Sequence, residues 1–373
     1  MKSIYLDHNA TTKISDEVLA KMTEVYKLPL NNSSNHLLGR KANSIVEEAR
    51  QEVKNLINAT NYEVIFTASA TEASNMVIRG TEVKKILFCG IEHASVFSCR
   101  PSDKEIIEIR ALENGLIDVE DFKAKLESIN DGNFLVSLML ANNETGAIQP
   151  TKEVARLTHQ KSGLFHCDMV QGVGKIAVDI EDINADFASI SAHKIHGPQG
   201  VGALFIRKGL DITPIIYGGK QEKSKRAGTV NTAGVAGFGE ACKIAAKNLG
   251  IYEEVRKLRE YLENELKKHA GEDIIIFAES VNRLPNTCYF ATKNASNQTQ
   301  LIHFDLNRIC ISAGSACSSG STSPARVLSA MRVDPNFLGS AIRVSLGSDT
   351  TKAEIDKFIK IWLELYNRIK TSK

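Results

Sequence analysis

The stretch Ser191-Ala-His-Lys-Ile-His-Gly-Pro-Gln-Gly200 follows a short apolar run, Asp186-Phe-Ala-Ser-Ile190, so Lys194 stands where a strand gives way to a glycine-containing turn. An amine with an ordinary pKa of about 10.4 is a poor nucleophile at neutral pH, so Schiff-base chemistry at such a lysine demands a crowded or dry setting. His193 beside it would help to provide one. The same decapeptide also suits an ordinary surface lysine next to a histidine. A segment upstream helps to separate the two readings. Gly163-Leu-Phe-His-Cys-Asp168 reads as a strand that ends in a carboxylate and runs on into Met169-Val-Gln171-Gly-Val-Gly-Lys175. A pyridinium ring that is to act as an electron sink needs an anionic partner at its nitrogen, which Asp168 can supply, and Gln171 in the following turn is placed to hydrogen-bond a ring oxygen. An aspartate that merely caps a turn is the plain alternative.

Outward from these two segments, Val64–Thr67, Lys85–Phe88, Ile106–Ile109, Phe134–Leu140 and Ala203–Ile206 are further strand candidates. Helical stretches separate many of them, which predicts an α/β domain with a mainly parallel sheet. Ile45, Ala49, Val53 and Leu56 keep helical spacing, as do Ile355, Ile359, Trp362, Tyr366 and Ile369. The last of these helices opens with Thr351 three residues before Glu354, a capping-box pattern. Alternating charge in Tyr252-Glu-Glu-Val-Arg-Lys-Leu-Arg-Glu260 reads as a solvated helix face.

The 373 residues, 43% of them hydrophobic, suffice for one large domain and a smaller one. A formal net charge of +2 and the lack of a basic tract argue against nucleic acid or an anionic membrane as partner. No apolar run approaches the roughly 20 residues that span a bilayer, and Met1-Lys-Ser-Ile-Tyr-Leu-Asp7 has no signal-peptide core, so a cytoplasmic protein is expected. The seven cysteines, at 89, 99, 167, 242, 288, 310 and 317, form no CxxC pair and no metal-ligand spacing, which suits reduced thiols and no bound metal. Cys89 and Cys167 sit in apolar runs where a thiol is inert. Cys317 lies among serines, glycines and alanines, a composition that favours a mobile loop, where a free cysteine is commonly incidental. Thr67-Ala-Ser-Ala-Thr-Glu-Ala73 places small residues, Ala70 and Thr71 among them, before a helix start. Free N–H groups there favour a phosphate, although simple helix caps look alike.

Taken together, Tyr5-Leu-Asp-His-Asn-Ala-Thr-Thr12, Asn31-Asn-Ser-Ser-Asn-His36, Phe66-Thr-Ala-Ser-Ala-Thr-Glu72, Glu92-His93 and Asn142-Asn-Glu-Thr-Gly146 resemble the ordered motifs of the cysteine desulfurases. The Asp168 and Lys194 segments, Arg226-Ala-Gly-Thr229, Ser312-Ala-Gly-Ser-Ala-Cys-Ser-Ser-Gly320 and Ala341-Ile-Arg-Val-Ser-Leu-Gly347 extend the resemblance nearly end to end. It implies the fold of the class V, pyridoxal-phosphate-dependent aminotransferases, fold type I. Residues 15–250 would form a large domain with helices on both faces of the sheet; 1–14 and 251–373 would form a smaller α+β domain. It also implies that Lys194 carries pyridoxal 5'-phosphate, that His93 stacks on the ring and moves protons, and that Asp168, Gln171 and Asn143 contact the ring. Ala70, Thr71, Ser191, His193 and, from the opposite subunit of an obligate homodimer, Thr229 would hold the phosphate. Asn143 and Arg343 would bind L-cysteine, the arginine matching its carboxylate, although an asparagine pair often makes a turn and a lone arginine a surface ion pair.

By the same resemblance Cys317 is catalytic. Its thiolate attacks the substrate sulfur, alanine leaves, and the persulfide passes to an acceptor such as an iron–sulfur scaffold or tRNA-thiolation protein. The loop looks like the longer-loop group, which favours transfer by loop swing. Two departures stand out. Ala68 and Ser69 replace the family's usual Ser and Gly, and Gly218-Gly-Lys-Gln-Glu-Lys-Ser224 has Lys220, Lys223 and Ser224 where two glycines and an arginine are usual. Glycine lost from a turn with positive φ costs on the order of 1 kcal/mol, so an altered loop is expected. The other readings are a related lyase or aminotransferase, selenocysteine lyase included, and a degenerate homologue that binds without turnover.

Overall fold

The computed structural model describes residues 3–130, 132–314 and 326–371. In chain order the strands are β1 (Ile4–Tyr5), β2 (Tyr62–Thr67), β3 (Lys85–Cys89), β4 (Glu105–Ile109), β5 (Phe134–Met139) and β6 (Leu164–Asp168). They continue with β7 (Phe187–Ser191), β8 (Gly202–Arg207), β9 (Ile274–Ile276), β10 (Thr287–Thr292), β11 (Ile309–Cys310) and β12 (Ala341–Ser345). A seven-stranded sheet runs in the order β2-β8-β7-β6-β5-β3-β4. From β7 to β4 every pairing is parallel, whereas β8 is antiparallel to both β7 and β2. Every strand candidate read from the sequence belongs to this sheet. Phe134-Leu-Val-Ser-Leu-Met139 explains why: all six side chains are buried, as a strand covered on both faces requires.

Helices Leu37–Leu56 and Thr232–Asn248 pack closely, since a Cβ on Gly239 would lie 2.6 Å from the Ala49 Cα. The carboxyl ends of β3, β5, β6 and β7 therefore share one edge, the edge where open α/β sheets bind ligands.

A second, smaller assembly pairs β12-β10-β9 antiparallel and β1 parallel to β11. Its own core joins Ile4, Leu6, Leu262, Phe290, Phe304, Phe358 and Trp362, with Phe304 and Phe358 stacked at 4.6 Å. The closing helix Lys352–Thr371 buries Ile355, Ile359, Trp362 and Tyr366, and the Thr351 N–H donates to Glu354 Oε2 at 2.9 Å as the capping box predicts. The expected boundary at 250/251 falls between helices Thr232–Asn248 and Ile251–Ala270. One reading in that second helix needs correction. Arg259 is not on a solvated face: it is buried near Glu263, whose carboxylate also takes both Nη atoms of Arg283 at 2.8 Å.

Candidate active site

Strand ends deliver the functional groups to a cavity of about 500 Å³. β6 ends on Asp168; β7 ends on Ser191 and continues into the 3-10 turn Ala192–Lys194. His93 follows β3 and Asn143 follows β5. After β2 the chain turns into helix Ala70–Gly80, where the Ser69 hydroxyl accepts the Glu72 N–H at 3.2 Å. Ala70, Thr71, His93, Asn143, Asp168, Gln171, Ser191, His193, Lys194 and Arg343 all border this one cavity. Thr229 is exposed and does not border it, and Cys317 lies outside the described residues.

The turn into the helix departs from glycine without strain. Ser69 has φ −170° and ψ 164°, extended backbone open to any residue. The glycine that the turn does need is Gly202 on β8, where a Cβ would come within 2.7 Å of the Ser69 carbonyl carbon and 2.9 Å of the Ala70 nitrogen. The 218–224 loop is different. Lys220, at φ −84°, needs no glycine, but Glu222, Lys223 and Ser224 have φ of 43°, 57° and 65°. That left-handed path is fastened by Glu222, whose carboxylate accepts Arg50 Nη1 at 2.8 Å and Nη2 at 3.1 Å and the Phe66 N–H at 2.8 Å. Arg226 adds a second tie, with Nε 2.8 Å from Glu72 Oε1 at the helix start.

Charge in the cavity follows from burial. Lys194 Nζ donates to the carbonyls of Asn9 at 2.6 Å and Ala10 at 2.8 Å. Burial, aided by the positive charge of Arg343, lowers its pKa to about 8. The Asp168 carboxylate accepts the Val170 N–H at 3.0 Å, and burial raises its pKa against the pull of His93. His93 is open to the cavity, yet deep enough for burial to lower its pKa. Its Nδ1 accepts the Ser95 N–H at 3.1 Å, so the neutral ring carries its proton on Nε2. His193 is held down to about 4 by burial and by Lys194, with Nδ1 3.1 Å from the Thr11 hydroxyl. Arg343 Nη2 lies 2.6 Å from Asp7 Oδ1 and Nη1 donates to the Asn143 carbonyl at 2.9 Å; Nε has no partner among the described residues. A neutralisable amine, a buried carboxyl and a cation with an unused donor thus face one space.

Residues 4–358 match the class-V aminotransferase family. This chain belongs to that family. It is 37% identical to a cysteine desulfurase IscS of Dictyoglomus turgidum, over 99% of this chain and 96% of the relative. A second cysteine desulfurase IscS, from Ehrlichia chaffeensis, is 38% identical over 94% of this chain and 88% of its own length. The X-ray structure of a NifS-like protein from Rickettsia africae superposes with a TM-score of 0.92 at 37% identity, covering 98% of this chain and 99% of that one. The activity is that of a cysteine desulfurase.

The family implies pyridoxal phosphate, and the residues present fit it. The first N–H groups of helix Ala70–Gly80, at Ala70 and Thr71 in the turn that Gly202 leaves room for, suit a phosphate, Asp168 suits a ring nitrogen, and Lys194 suits the aldehyde carbon.

Several groups in or behind the cavity wall escaped the sequence reading as groups with a role: Asn9, Ser312 and Arg326 border the cavity, and Asp7 and Lys175 hold residues that do. Lys175 is fully buried and held well below the usual lysine range by burial, donating to Gln171 Oε1 at 2.7 Å and Asn9 Oδ1 at 3.2 Å. Gln171 is thereby oriented, its Nε2 donating to the Asn9 carbonyl at 3.0 Å. Arg326 borders the cavity with its guanidinium 4.2 Å from the Phe97 ring centre, and it donates to the backbone oxygens of Gly90 and Glu92. A lysine four residues after Gln171 was the one available signal, because that spacing puts both on one side of a helical turn.

Proposed function

We propose that this desulfurase converts L-cysteine to L-alanine and leaves the sulfur as a persulfide on Cys317. The observation that carries the reading is Lys194, an amine brought down to about 8 in the same cavity as Asp168, His93 and Arg343. Ala70, Thr71, Ser191 and His193 would hold the phosphate of pyridoxal phosphate, Asp168 its ring nitrogen, Asn143 and Gln171 its ring oxygen, and Lys194 its reactive carbon. When bound, that cofactor supplies an electron sink for the α-carbon of an amino acid. Arg343 receives the substrate carboxylate, for which a guanidinium is the best-matched partner. Lys194, neutral near its lowered pKa, removes the α-proton, and His93, with a proton on Nε2, moves protons over the ring.

The Cys317 thiolate then attacks the substrate sulfur. A sulfur–sulfur bond forms, the carbon–sulfur bond breaks with its electron pair going to Cβ, that carbon takes a proton, and Lys194 returns a proton to the α-carbon to complete alanine. The exposed position of Thr229, outside its own chain's cavity, supports a homodimer in which it completes the partner's phosphate site. Residues 1–14 and 251–373, as the smaller domain, bring Arg343 against the larger one. The persulfide would then pass to an acceptor protein, an iron–sulfur scaffold or a tRNA-thiolation protein.

The test is to add L-cysteine and a thiol reductant to protein loaded with cofactor, measure sulfide and alanine, and map the trapped persulfide by mass spectrometry. Equal yields with the label on Cys317 are expected. A persulfide on another cysteine, or alanine without sulfide, would overturn the assignment.

A further inference from the structure

We propose that Asn9 is the positioning residue for Lys194: its backbone carbonyl, with that of Ala10, is the seat to which the lysine amine returns whenever it is not bonded to cofactor. This inference rests on the role of Lys194 proposed above.

Asn9 is 1% exposed, and every hydrogen-bonding position it has is filled. Its carbonyl accepts Lys194 Nζ at 2.6 Å and Gln171 Nε2 at 3.0 Å. Its Oδ1 accepts Lys175 Nζ at 3.2 Å and Asn286 Nδ2 at 3.0 Å. Its Nδ2 donates to the Asn143 carbonyl at 3.2 Å and to Thr287 Oγ1 at 2.8 Å, and its N–H donates to Ser345 Oγ at 3.0 Å. Asparagine meets this pattern because it offers two donors and two acceptors on one planar group; aspartate lacks the donors and alanine lacks both. The partners come from the turns that follow β5, β6 and β7 on one side and from β10, the residue before it and β12 on the other. The seat is therefore built by both assemblies and does not shift with a single loop.

The chemical consequence follows from the shape of the amine. Backbone carbonyls accept hydrogen bonds without acting as bases, so they hold the amine without taking its proton. A neutral primary amine has two N–H donors, and both are used, on Asn9 and Ala10. The lone pair then occupies the one remaining tetrahedral direction, at a nitrogen whose side chain borders the cavity. The same amino-terminal segment clamps the rest of the Lys194 turn: the Thr12 N–H and hydroxyl donate to the His193 carbonyl at 2.9 and 2.8 Å, and the His196 N–H donates to Thr12 Oγ1 at 2.7 Å. Aim, more than acidity, is what Asn9 contributes, and misplacement of a reacting atom by about 1 Å can cost ~100-fold in rate.

The test mixes cofactor-free full-length protein with pyridoxal phosphate and follows the borohydride-reducible linkage to Lys194 by rapid mixing, at a pH where the amine is neutral. Concentration dependence separates initial binding from the limiting first-order rate. In Asn9→Ala the limiting rate should fall about tenfold or more, with the initial dissociation constant unchanged within about threefold. Thr287→Val, which removes one anchor of Asn9 without touching the cavity, should lower the limiting rate about threefold, and it decides the matter alone where Asn9→Ala does not fold. Limiting rates unchanged within about twofold in the variants that fold would overturn the inference while leaving Lys194 as the cofactor lysine. No linkage in the unaltered protein would refute the Lys194 reading and this one with it.

Discussion

The lowered pKa of Lys194 makes a quantitative prediction for the cofactor-free protein. An amine with a pKa of about 8 is neutral in about one molecule in ten at pH 7, against about one in three thousand for an ordinary lysine. Its reaction with pyridoxal phosphate should therefore be about 300-fold faster at pH 7 than that of an exposed lysine of equal intrinsic reactivity. The assay is the linkage rate from pH 6 to 10.5, with Lys194→Ala as blank. The rate should rise about tenfold per unit below the midpoint and level off above it, with the bend near 8. The charges that set the value give two further signs. Arg343 lowers the pKa, so Arg343→Gln should move the bend upward; Asp7 raises it, so Asp7→Asn should move the bend downward. A rate that climbs past pH 10 without a bend would refute the argument from burial. Shifts opposite to these would refute the assigned charges even if the bend of the unaltered protein fell near 8.

Cys317→Ala should keep the cofactor absorption band and lose persulfide and sulfide; full sulfide release by that variant, measured colorimetrically, would remove Cys317 from the mechanism. Glu222→Ala strips a buried partner from Arg50 and the Phe66 N–H and should cost about 3 kcal/mol in denaturant unfolding, a loss below about 1 kcal/mol counting against the tie. Ser224→Gly should stabilise by about 1 kcal/mol in the same measurement, because Ser224 has φ 65°. For Thr229, subunits carrying Lys194→Ala and subunits carrying Thr229→Ala should regain up to about a quarter of full activity on mixing at limiting cofactor, since each mixed dimer holds one complete site. No recovery would place Thr229 in the site of its own chain.

Burial on both faces made β5 and its neighbours legible: a strand covered by helices above and below must be apolar at every position, and a short apolar run such as Phe134–Met139 is visible without any partner. In the smaller assembly three strands gave no such signal, because β1 and β11 have two residues each and β9 has three, too few to show any period. Those strands exist because of what they pair with. The site divides along the same line. Asp168 and Lys194 sit at the ends of readable strands, so residue type and place pointed to chemistry together. Asn9 has no local mark at all: its partners include Ser345, 336 residues away, and Asn286, 277 away, and its role arises only when both assemblies close on it.

Departures from the familiar motifs show the same limit from the other side. By the motif resemblance Ser69 and Ser224 each stand where glycine is expected, and nothing in the sequence distinguishes them. The backbone does, since Ser69 is extended at φ −170° and unstrained, whereas Ser224 at φ 65° takes a path that favours glycine. The strained loop holds its course because Glu222, two residues earlier, is locked to Arg50 and to the N–H of Phe66. Phe66 is the last residue but one of β2, so the loop leading to Thr229 is anchored to the same strand that leads into helix Ala70–Gly80. A shift in one would be felt by the other, which gives the loop a physical route to the cavity of its own chain.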